Sequence, residues 1–76
     1  MNTQHLALVA EELKAIPRGG PLQNMYRMVY EQVRLCGLAP RAQVEATPKA
    51  AHELALRTVR EHQPGFEPEM EPRYAH

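Results

Sequence analysis

His52 and Glu53 stand side by side in the stretch AHELALR, and a His-Glu pair opens the zinc-protease helix motif HExxH. That motif needs its second histidine four residues after the first, on the same helix face, and this chain has Leu56 there. Glu53 points about 100° away from His52, onto the charged side. His52 and His62 lie ten residues apart, nearly three turns, too far to share one ion. Both are expected as boundary packing residues, while His5 and His76 form no spaced set. No metal site and no cofactor are expected.

Nucleophilic chemistry has equally little to draw on. The chain contains no serine, no aspartate and a single cysteine, Cys36, which falls on an apolar helical arc and reads as a small buried hydrophobe. The pair Gly19-Gly20 before a helix invites comparison with phosphate-cradling loops. Neither GxGxxG nor GxxxxGK[ST] is present, however, and Pro21 removes one of the donors such a loop would use. The chain is therefore expected not to be an enzyme. Tyr26 and Tyr30, one turn apart beside Arg27 and Arg34, read either as core-edge residues whose hydroxyls reach water or as candidates for a contact surface. With a formal net charge of zero and no run of Lys and Arg, that surface suits a protein better than a nucleic acid.

Three helices must position these residues. In PLQNMYRMVYEQVRLC, residues 21–36, Met25, Cys36, Val29, Leu22, Val33, Tyr26 and Tyr30 share an arc of roughly 140°. Gln23, Arg34, Arg27, Glu31 and Asn24 fall on the other side, and Gly37 suits the left-handed position that ends a helix. Upstream, residues 3–16 carry a stripe of Leu6, Val9, Ala10, Leu13 and Ile16, stopped by Pro17. Downstream, Thr47-Pro48 supplies an N-cap and a proline at the first helical position for a helix over 48–62, broken by Gln63-Pro64-Gly65. Ala51 and Ala55 on this third helix allow close approach to the bulky Met and Tyr face of the second. Between the second and third helices, 42–46 reads as a loop or a single helical turn. The fold class is thus all-α, a three-helix domain over 1–65 followed by an extended, proline-rich arm over 66–76.

Several apolar residues have no place in this core. Met28 and Leu35 form a second stripe on the central helix, Leu8 lies across from the first-helix stripe together with Ala15, and Leu56 flanks the third. In the arm, Phe66, Met70 and Tyr74 recur every fourth residue between prolines, as anchors for a partner or for the bundle itself. A domain of 76 residues buries only about 60% of its unfolded surface and has no disulfide or zinc to staple it, so help from a partner or a second copy is expected. These residues point to a non-catalytic protein-interaction module, such as a small inhibitor, adaptor or accessory subunit, with a homodimer as one solution. The alternative is a helix-turn-helix DNA-binding regulator, which requires 42–46 to be a helix paired with the third. No signal-peptide pattern and no apolar run near the ~20 residues of a membrane span is visible, so a cytoplasmic location is expected.

Overall fold

The computed structural model describes residues 3–39 and 42–71. Three helices carry the fold: α1 (Thr3–Lys14), α2 (Pro21–Cys36) and α3 (Pro48–Arg60). Between α2 and α3 the chain forms a minimal antiparallel pair, β1 (Leu38–Ala39) with β2 (Ala42–Gln43), in which Leu38 faces Gln43 and Ala39 faces Ala42. The expected loop or helical turn over 42–46 is thus an extended strand at its start. It supplies no first helix for a helix-turn-helix pair.

The ends of the helices follow from their local chemistry. Thr47 caps α3 by accepting a hydrogen bond from the Ala50 amide at 3.1 Å, and Pro48 follows at the first helical position. Gly37 ends α2 at φ 65°, a left-handed conformation that costs glycine nothing, and its amide donates to the Val33 carbonyl at 2.8 Å. Helix α1 stops two residues short of the expected 16. Ala15 and Ile16 bond back three residues instead of four, to Glu12 and Leu13, as the chain tightens ahead of Pro17. The helix does not extend past Lys14, and Ala15, expected on the outer side, is buried with its carbonyl accepting from the Glu71 amide.

The central helix packs mainly on α3. Ala51, Ala55 and Val59, at successive turns of α3, are fully buried, and their small side chains let the rings of Tyr26 and Tyr30 and the side chain of Val33 lie close against that helix. Tyr26 is the hub. Its ring centroid lies 6.3 Å from both Tyr30 and Phe66 and 5.7 Å from the edge-on ring of His52. Such aromatic pairs each contribute about 0.5–1.5 kcal/mol beyond the area they bury. Ile16 closes the core from the end of α1.

The buried face of α2 is rotated from its apolar arc by roughly 60°. Gln23 and Arg34, expected among the solvated residues, are both buried, whereas Cys36, expected inside, is exposed. Polar bonding explains the rotation. Gln23 donates to the carbonyls of Pro17 and Glu69 and accepts from the Glu69 amide, all at 2.9–3.0 Å, and Arg34 is fully engaged as described below. Cys36 is the last residue of its helix and overhangs the core.

Those bonds from Gln23, with Glu71 on Ala15, hold the arm against the helices as far as Glu71. Phe66 is buried and Met70 packs against the core, so the packing runs across the expected boundary at 65/66. Tyr74, the third expected anchor, lies outside the described residues. No helix among the described residues is long and apolar enough to cross a membrane.

Candidate binding site

A cleft of about 470 Å³ opens between the end of α1 and the first turns of α3. Glu12 and Ile16 form one wall, Pro48, Lys49, His52 and Glu53 the other, Tyr30 of α2 lies at its base and Met70 of the arm closes one end. The sequence builds it simply. Helices α1 and α3 both pack on α2, and because α2 meets α3 along its length but α1 less extensively, the side chains of α1 and α3 leave a gap between them. Most of its surface is apolar, with a few polar groups converging on it, which is the usual character of a ligand cleft.

On the α1 wall, the Glu12 carboxylate is already satisfied. Its Oε1 accepts from the Tyr30 hydroxyl at 2.6 Å and from Arg34 Nε at 2.7 Å, and its Oε2 accepts from the second guanidinium nitrogen at 2.8 Å. This two-pronged pairing is the strong geometry for arginine and carboxylate. Arg34 also donates to the Ala46 carbonyl, tying the segment ahead of α3 to the network, while its own backbone carbonyl accepts from His5 Nε2 at 2.6 Å. Burial by itself would raise the Glu12 pKa, but the hydrogen bonds from Arg34 and Tyr30, with the Arg34 and His5 charges, overcome it and hold the carboxyl below its ordinary value. The same bond to Glu12 raises Arg34 against the effect of its own burial. Burial, then the hydrogen bond and charge of Glu12, push the Tyr30 hydroxyl far up.

Across the cleft, the Tyr26 hydroxyl lies 2.5 Å from His52 Nδ1 and 3.8 Å from the sulfur of Met70. A hydroxyl has one proton to give, and an imidazole nitrogen at that distance is a far better acceptor than a thioether. Tyr26 therefore donates to Nδ1, which leaves the proton of the neutral ring on Nε2. Burial pushes the Tyr26 pKa up to about 12. Neither His52 Nε2 nor Lys49 Nζ has a partner among the described residues.

The residues expected to meet a partner divide sharply. Tyr26 and Tyr30 belong to the core, not to a contact surface, because their neighbours are the alanines of α3. Phe66 joins them there, and Met70 lines the cleft from the bundle side. Leu56 is half-buried against the core. Leu35 is also half-buried, whereas Met28, on the same outer stripe, is 55% exposed and Leu8 of α1 is 60% exposed. Leu6, expected on the buried stripe of α1, is 43% exposed. The sequence reading missed Glu12, Arg34, His5 and Lys49. One signal was available for Arg34, which stands four residues after Tyr30 and so borders the apolar arc.

Among the described residues no group of three or more His, Cys, Asp or Glu is placed to hold a metal ion. No protein-family model matches the chain, and neither a curated protein nor a solved structure matches it.

Proposed function

We propose that the chain is a non-catalytic protein-interaction module that pairs with a second copy of itself through the apolar side chains its core leaves outside. The observation that carries this reading is the exposure of Leu8 and Met28, the most exposed large apolar residues described, neither of which packs against the core. Burying what is still exposed of each at a contact would contribute about 1–2 kcal/mol. A zero net charge imposes no repulsion between two copies, and a domain this short gains stability from association. The pairing of Glu12 with Arg34 and Tyr30 supports a non-catalytic role, since it commits the half-buried carboxylate to holding α1 on α2.

A dilution series followed by amide chemical shifts tests the reading. Signals around Leu8 and Met28 should move together with concentration while those of Ala51 and Val59 stay fixed. Shifts that are independent of concentration throughout would remove self-association as the function of these residues.

A further inference from the structure

The cleft between α1 and α3 is lined by neither Leu8 nor Met28, so it is a second place for binding, independent of self-association. Its polar groups are unequal in a way that selects a ligand. The carboxylate on the α1 wall, Glu12, has its oxygens engaged by three hydrogen bonds and its charge offset by Arg34. The donors on the α3 wall are open. With the Tyr26 hydroxyl on Nδ1, the neutral His52 ring carries its other proton on Nε2, and Lys49, one turn earlier on the same helix face, carries an ammonium; neither has a partner among the described residues. A ligand that completes this cleft therefore brings acceptors and negative charge to one side and an apolar body to Ile16, Met70 and the base at Tyr30. The geometry points to a small amphipathic monocarboxylate, an aliphatic or aromatic acid, held with its carboxylate between Lys49 and His52. A cleft of about 470 Å³ is within the range that takes such molecules. Glu53 on the same wall is the opposing charge, and it weakens the site for an anion.

Titration with octanoate, read by amide and methyl chemical shifts on the full chain, tests the assignment. Saturable shifts should appear at Ile16, Lys49, His52 and Met70, with a dissociation constant on the order of 1 mM or below. Octanamide, which has the same body without the charge, should bind about two- to fivefold more weakly, and Lys49→Gln should weaken octanoate by a similar factor. Glu53→Gln should tighten it. Lys49 and Glu53 are both exposed, so circular dichroism should show these variants folded. Octanamide binding as well as octanoate, or shifts that map to Leu8 and Met28, would overturn the proposal. So would tighter binding by a peptide ending in a bulky apolar residue, which would give the cleft to a protein ligand.

Discussion

Replacing Glu12 by Gln should destabilise the fold far more than an ordinary substitution near the surface. The variant keeps the size of the side chain but removes the charge that accepts two hydrogen bonds from Arg34, whose residue is only 6% exposed. A guanidinium held in that position without a counter-charge is the main cost, and breaking a buried pair from one side costs about 3–5 kcal/mol. A chain of 76 residues has about 4–11 kcal/mol of total stability. The loss is therefore a large fraction of the whole, and at about 4–8 °C per kcal/mol for a small domain it should lower Tm by about 12 °C or more. Thermal unfolding followed by circular dichroism would measure it. The double variant Glu12→Leu/Arg34→Leu should recover much of the loss, because it leaves no unpaired charge inside. A single variant within about 0.5 kcal/mol of the parent, or a double variant as unstable as the sum of the singles, would refute the claim that the pair ties α1 to α2.

Acid should act on the same pair. The folded pKa of Glu12 is lowered, so its contribution is present above the ordinary carboxylate range and lost as pH falls through the folded value; Glu12→Gln should flatten that part of a stability-against-pH curve. At the alkaline end the sign reverses. Tyr26 is raised from 10.0 to about 12, so its contribution is full below pH 10 and disappears as pH rises through about 12, and Tyr26→Phe should reduce the alkaline loss by about 2–3 kcal/mol in denaturant titrations. Gln23→Leu should release the arm at a cost of about 1–3 kcal/mol, with faster amide exchange at Glu69 and Glu71. Gly37→Ala forces a side chain into left-handed backbone at φ 65° and should lower stability by about 1–2 kcal/mol in the same denaturation assay.

Apolar spacing was enough to place the three helices, because periodicity, the Thr47-Pro48 cap and the Gly37 stop are all local signals. It was also enough to bring Ala51 and Ala55 against the tyrosines. What it missed was polar burial. Arg34 and Gln23 carry side chains that a helical wheel assigns to water, and only their partners on α1 and the arm reverse that, at separations of 22 and 46 residues. The cleft was illegible for a related reason. Part of its wall is set where α1 ends at Lys14 and the chain carries Ile16 to the core, a change of path that no period describes. Met28 and Leu8 could be read as outsiders because their angles place them away from the buried faces of regular helices.

Self-association through Leu8 and Met28 is tested by the molar mass in solution, measured by sedimentation equilibrium over a micromolar concentration range. The mass should approach two chains as concentration rises, and a Leu8→Glu/Met28→Glu variant should stay at one chain with unchanged helicity. A parent protein that remains at the mass of one chain throughout, or a variant that still pairs, would contradict it.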